Sequence, residues 1–247
     1  MTNAYSTQLK TIPLLKVRVH DVDMREALAI FDEFIQSRTP HHIITLDASM
    51  CVMAEKDSKL RKIIEKSDLI TPDSVGVLWA CKRMGKSLRE RVSGVELVEM
   101  LCSLSHEKQY RLFFFGSAPG VAEQAAEKMR LKYPGCMIVG THNGFFTEKD
   151  SNAIITQIQN AKPDILCVAL GIPKQEMWIS EHIQELGVPI CIGVGGTLDV
   201  LSGNVRRAPM WMRKLSLEWL HRLISNPKKI GKVMTLPKFV MLILRKG

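Results

Sequence analysis

Pro72-Asp73 closes a short apolar run, and a carboxylate in that position could do chemistry. The proline fixes the backbone at the strand end and turns the next side chain outward, where it could accept a proton from an attacking hydroxyl. The same aspartate could instead cap a helix over residues 75–83, and on the residues alone both roles stay open. Asp21-Val22-Asp23 has the D-x-D form with which one class of sugar-nucleotide enzymes holds a metal and a diphosphate. Asp23 and Glu26 also have the spacing of a capping box, so the pair reads as a helix start. His41 and His42 lack a carboxylate or cysteine close in sequence and read as strand-entry residues, not metal ligands. Cys51, Cys81, Cys102, Cys136, Cys167 and Cys191 are scattered without a C-x-x-C pair, as reduced, buried thiols of a cytoplasmic protein would be. G-x-S-x-G, H-E-x-x-H and the P-loop pattern are absent, so hydrolase, zinc-protease and P-loop readings lack support.

Glycine-containing turns are the second chemical feature. Gly116-Ser117-Ala118-Pro119-Gly120, Gly171-Ile172-Pro173-Lys174-Gln175-Glu176 and Gly193-Val194-Gly195-Gly196-Thr197-Leu198-Asp199 each follow an apolar run and precede a helical pattern. Such turns present peptide N–H groups beside a helix N-terminus and favour a phosphate-bearing ligand. Each glycine taken singly reads equally well as a tight-turn residue.

The elements that must carry these groups follow from periodicity. Strands are expected at residues 14–19, 42–46, 68–70, 111–115, 137–140, 165–169 and 189–193, with helices in most gaps. That alternation predicts an α/β fold, a Rossmann-like, largely parallel sheet flanked by helices. Asp23 with Glu26, and Ser93 with Glu96, are expected to open two of the helices as capping boxes, while Pro119 and Pro173 sit near the starts of two more. In open parallel sheets ligands bind beyond the carboxyl ends of the strands, which is where the turns above fall.

Charge divides the chain. The 247 residues carry a formal net charge of +9, and residues 205–247 alone hold eleven Lys or Arg against one acid, Glu218. Residues 1–204 are therefore near neutral, and the reading is an α/β catalytic domain over 1–204 with a basic helical appendage over 205–247. In the appendage Leu215, Trp219, Leu220, Leu223 and Ile224 form an apolar stripe among cations. A helix of that kind suits an anionic membrane surface better than nucleic acid. No run approaches the roughly 20 apolar residues of a spanning helix, and the first 30 residues lack the pattern of a secretory signal. A peripheral protein on the inner face of the cell membrane is expected.

The motifs taken in order resemble the WecG/TagA/CpsF family of glycosyltransferases. The likeness is carried by Thr45-Leu46-Asp47-Ala48, Ile70-Thr71-Pro72-Asp73, Arg91-Val92-Ser93-Gly94, Phe115-Gly116-Ser117, the two long glycine turns, Arg207-Ala208-Pro209 and residues 217–223. It implies a metal-independent, inverting transfer of a sugar, N-acetylmannosamine by the family's named activity, from a UDP-sugar to polyprenyl-diphosphate-linked N-acetylglucosamine. Cell-surface polysaccharide or teichoic acid synthesis would use such a step. By that likeness Asp73 is the base, with Thr45 close by. Asp47, Arg91, Gly116, Ser117, Gly171, Gln175, Glu176, Gly193, Gly195, Gly196 and Asp199 would line the substrate pocket, and Arg207, Arg222, Lys229 and Lys232 would meet diphosphate charge. No cofactor is implied beyond the donor itself, and the oligomeric state, homo-oligomers included, is left open.

Three positions depart from the family pattern: Asp47 in place of asparagine, Ser74 in place of glycine and Glu96 in place of aspartate. Asp47 bears most on specificity, because a second carboxylate near Asp73 would repel its charge. Donor and acceptor are thus less determined than reaction class, and another UDP-hexose is the alternative. A non-enzymatic binder of membranes or acidic partners is the alternative of another class. A dinucleotide oxidoreductase is disfavoured, since no G-x-G-x-x-G opens a helix with an acid about 20 positions on.

Overall fold

The computed structural model of the protein describes residues 9–209, 212 and 235–246. Its first elements depart from expectation. The single strand expected over residues 14–19 is a hairpin, β1 (Thr11–Leu14) and β2 (Val17–His20), paired antiparallel from Thr11↔His20 to Leu14↔Val17. Leu15 makes the reversal at φ 56°, a conformation usually given to Gly or Asn, so the turn carried no local sequence signal. Tertiary burial of Ile12, Leu14 and Val19 holds it instead.

The other strands lie close to their expected places. β3 (His41–Leu46), β4 (Leu69–Pro72), β5 (Leu112–Gly116), β6 (Ile138–His142), β7 (Ile165–Ala169) and β8 (Ile190–Gly193) form one sheet in the order β4-β3-β8-β7-β5-β6. All five pairings are parallel, so the α/β reading holds. Among the described residues the α-helices are α1 (Met24–Ser37), α2 (Ala48–Ala54), α3 (Ser58–Lys66), α4 (Val75–Arg83), α5 (Gly94–Lys108), α6 (Val121–Lys132), α7 (Ser151–Ala161), α8 (Lys174–Leu186), α9 (Thr197–Leu201) and α10 (Thr235–Lys246).

Side-chain alternation sorts them onto two faces. Ile43, Phe114, Cys167 and Ile192 point to a core shared with α1, α5, α6 and α9. Their neighbours Ile44, Phe113, Leu166 and Cys191 point to the other side, where α2, α3, α4, α7, α8 and α10 pack. Strands apolar on both faces are what a parallel sheet covered on both sides requires. The chain runs outward from β3 to β4, crosses to β5 and β6 at the far edge, and returns through β7 and β8 to the middle. Such a reversal is where open α/β sheets place their ligands, at the carboxyl ends of the central strands.

The expected capping box of α1 is present: Glu26 N–H donates to Asp23 Oδ1 at 2.8 Å and Asp23 N–H to Glu26 Oε2 at 3.3 Å. Asp21 is buried and accepts the Arg89 N–H at 2.9 Å. The D-x-D pair is therefore structural. His41 and His42 do enter β3, and the fold brings them the carboxylate that the local sequence lacks: Asp68 lies 3.3 Å from His41 Nδ1 and accepts the His42 N–H at 2.8 Å.

Candidate active site

Asp73 leaves β4 with its backbone and side chain both held. Its N–H donates to the Leu46 carbonyl of β3 at 3.0 Å, and its Oδ1 accepts the N–H of Gly94, the first residue of α5, at 2.7 Å. The cap of α4 is its neighbour Ser74, whose Oγ accepts from Val77 N–H at 3.3 Å. Of the two roles left open for Asp73, capping its own helix is thus taken by another residue. The half-buried carboxylate instead sits at the positive end of α5, where backbone N–H groups favour an anion.

Around Gly94 the site tightens. A Cβ placed there would lie 3.7 Å from the hydroxyls of both Thr45 and Thr197 and 3.4 Å from the Thr45 methyl, so the two threonines form a close-packed polar niche over Gly94, beside Asp73. Thr45 donates to the Gly193 carbonyl at 2.8 Å, and Thr197 to the Val194 carbonyl at 2.7 Å, which ties the ends of β3 and β8 to this niche. Gly94 and Thr197 received no role in the sequence reading. The available signal was a glycine at a helix's first position, costly for helix formation unless something must approach closely.

Gln175 and Glu176 form the floor of the next layer. Gln175 is 1% exposed; its Oε1 accepts the N–H groups of Gly171 at 3.1 Å and Gly195 at 3.0 Å, and its Nε2 donates to Glu176 Oε1 at 2.7 Å. One amide thereby joins the turn after β7 to the turn after β8. A Cβ on Gly193 would stand 2.6 Å from Gln175 Nε2, so glycine is required for this seat. Gly116, at φ 125°, is required for a similar reason: its Cβ would fall 2.4 Å from the Ala169 carbonyl. Ser117 N–H donates to that same carbonyl at 2.9 Å, which draws the end of β5 to the end of β7. Gly196 and Asp199 lie at the opening of the short helix α9, close to Gly195.

Positive charge borders the niche through Glu96, in the first turn of α5. Arg207 Nη2 lies 2.6 Å from Glu96 Oε1 and Arg91 Nη2 lies 3.8 Å from Oε2. This pairing corrects the expected capping box of α5. Ser93 is the N-cap residue but makes no side-chain cap bond. Gly94 N–H is already taken by Asp73, and Glu96 is turned toward arginines that only tertiary folding delivers.

The fold thus gathers Asp73, Thr45, Gly171, Gln175, Glu176, Gly193 and Gly195, with Gly116 and Ser117 attached through β7 and with Arg91 and Arg207 grouped on Glu96. Asp47 caps α2 and accepts from Met50 N–H at 2.7 Å, so its carboxylate has a structural task. Arg222, Lys229 and Lys232 lie outside the described residues. Among the described residues no three His, Cys, Asp or Glu side chains come together as a metal cage would need. No helix among them is long and apolar enough to cross a membrane.

A family model described as the WecG/TagA/CpsF family of glycosyl transferases matches residues 12–247. Among relatives, the N-acetylglucosaminyldiphosphoundecaprenol N-acetyl-beta-D-mannosaminyltransferase of Bacillus spizizenii is 32% identical over 82% of this chain and 78% of its own. The Bacillus subtilis (strain 168) protein of the same name is 32% identical over 86% and 82%. That of Staphylococcus aureus (strain MRSA252) is 27% identical over 99% and 96%.

Proposed function

Because the chain belongs to the WecG/TagA/CpsF family of glycosyl transferases, we propose that it moves N-acetylmannosamine from a UDP-sugar to a polyprenyl-diphosphate-linked N-acetylglucosamine. The names of the relatives supply the sugar and the acceptor class. One observation carries the mechanism: a carboxylate fixed between β3, β4 and the start of α5, beside a niche lined by two threonine hydroxyls.

In this reading Asp73 takes the proton from the acceptor hydroxyl as its oxygen attacks the anomeric carbon. The bond from that carbon to the diphosphate oxygen breaks, and UDP leaves with the electron pair. Attack opposite the leaving group inverts the anomeric centre, in keeping with the beta linkage in the relatives' names. Negative charge grows on the departing diphosphate. Arg91 and Arg207, which face Glu96, would compensate it, without a metal, by exchanging a carboxylate for a phosphate. Arg222, Lys229 and Lys232 join them on the family likeness alone. The cationic 205–247 stretch would hold the enzyme on the inner face of the membrane, where a lipid-linked acceptor resides.

The test pairs substrate and base. UDP-sugars are supplied with short-chain diphosphate-linked N-acetylglucosamine and products are read by mass spectrometry; transfer from a donor other than UDP-N-acetylmannosamine would replace the assigned sugar. Asp73→Asn should lower turnover by about 10² to 10⁴ while UDP binding, measured by calorimetry, stays within about twofold. Undiminished turnover would remove Asp73 from the mechanism.

A further inference from the structure

We infer that α4, a helix of the α/β body, contacts the membrane directly: its outward face and that of α10 form one continuous surface for an anionic bilayer. The inference deepens the proposed function, because a lipid-linked acceptor is what makes such a surface useful.

The first observation is the composition of the two faces. Trp79 is 38% exposed on α4. Lys82 and Arg83, three and four positions on, are exposed on the same side, and Lys86 follows just past the helix end, its N–H held by the Cys81 carbonyl at 2.9 Å. On α10 the exposed residues are Pro237, Lys238, Met241, Leu244 and Arg245, a helical stripe with Met241 52% and Leu244 54% exposed. Neither residues 75–86 nor 235–246 contain an acid. Trp, Met and Leu set among cations without an acid have the pattern of a helix that lies on an anionic membrane surface.

The second observation is adjacency. Phe239 of α10 is buried, and its ring carbon lies 3.7 Å from a Cβ placed on Gly76 of α4. Gly76 is one turn before Trp79, so the exposed Trp79 flanks the line along which α10 meets α4. Thr235 Oγ1 lies 2.9 Å from Ser49 Oγ at the start of α2, which fixes the opening turn of α10 near the carboxyl end of β3.

Charge selects the occupant. Basic residues near an anionic leaflet attract it additively, apolar side chains enter the boundary layer, and tryptophan prefers that interface. Residues 213–234, between the body and α10 in sequence, add six Lys or Arg against one acid, Glu218, of the same net sign. Asp73 stands two residues before α4 opens at Val75, and Trp79 lies four residues, about 6 Å, into that helix, so a bilayer on this face lies on the element that leads directly from the base.

The experiment uses the full chain. Lys82→Ser, Arg83→Ser and Lys86→Ser are combined, with and without Trp79→Ala, and set against Lys128→Ser, Lys149→Ser and Lys162→Ser, which remove equal charge elsewhere. Co-sedimentation is measured with phosphatidylcholine vesicles containing or lacking phosphatidylglycerol. The α4 variant should lose about tenfold or more of its partition onto the anionic vesicles, and the comparison variant no more than about twofold. Turnover should fall on vesicle-embedded acceptor and stay at the wild-type value on a water-soluble short-chain acceptor. Equal partition of the two variants overturns the inference. So does loss of self-association by the α4 variant in lipid-free ultracentrifugation with vesicle binding unchanged, because the face would then join two copies. A wild-type protein that binds vesicles yet transfers no sugar to the soluble acceptor would instead sink the catalytic reading and leave this one standing. Thermal melts show that each variant is folded, and the charge-only variant keeps the test valid if Trp79→Ala is not.

Discussion

A single buried amide sets the spacing of two turns at the centre of this site. Gln175 accepts two peptide N–H groups, of Gly171 and Gly195, from different turns. Leaving a buried donor unsatisfied costs about 1–3 kcal/mol, an upper bound for these half-buried N–H groups, so Gln175→Ala should let the turns separate. We expect KM for the UDP-sugar to rise about tenfold with a smaller change in kcat. Gln175→Glu separates this positioning role from simple packing. It restores the acceptor but sets a second carboxylate against Glu176, 2.7 Å away in the present pairing, and like charges that close must share a proton. Its KM should therefore approach the wild-type value as pH is lowered and worsen as pH is raised; a pH profile parallel to wild type would show that the amide does not act this way.

At the scale of elements, the edge strand β4 is finished by the hairpin. Ile70 N–H donates to His20 Nδ1 at 3.0 Å, a bond only a ring nitrogen without a proton can accept. Burial, helped by the Arg18 guanidinium, lowers the His20 pKa to about 4, and burial lowers that of His42 to about 4 against the opposing pull of Asp68. In the unfolded chain both titrate near 6.5. The sign follows from proton uptake: between these limits the unfolded chain binds protons that the native protein does not. The stability they contribute is complete above pH 6.5 and is lost as pH falls toward 4, by about 1.4 kcal/mol per pH unit for each histidine. Denaturant melts from pH 7.5 to 4.5 measure this slope. His20→Asn, which keeps an acceptor but does not titrate, should make it shallower, and an unchanged slope would clear His20 of the effect.

For the whole molecule, the basic stretch is joined to the body on both sides of the sheet. Arg207 reaches Glu96 on one side of the sheet, and α10 lies on α2 and α4 on the other, with Phe239 at 1% and Ile243 at 0% exposure. Burying such side chains stabilises by about 1.5–3 kcal/mol each. Truncation after Asn204 should therefore do more than release the protein from vesicles. It should also lower the thermal midpoint, because part of the core is removed. A truncated protein that melts at the wild-type temperature would mean that α10 adds nothing to that core.

Local chemistry determined much of this protein from sequence alone. Short apolar runs, the helical periods between them and the Asp23–Glu26 box specify a covered parallel sheet, because each depends on residues a few positions apart. The charge division at residue 205 and the ordered motifs of the glycosyltransferase family were legible for the same reason. Tertiary structure decided the rest. Whether Asp73 caps α4 or faces Gly94, whether Glu96 closes a capping box or holds Arg91 and Arg207, and which N–H groups Gln175 accepts all depend on partners distant in the chain. The hairpin at Leu15 belongs with them, since the burial that holds it comes from elements that follow it. A carboxylate or amide goes to the best-placed donor within about 3 Å, and only the packed fold decides which donor that is.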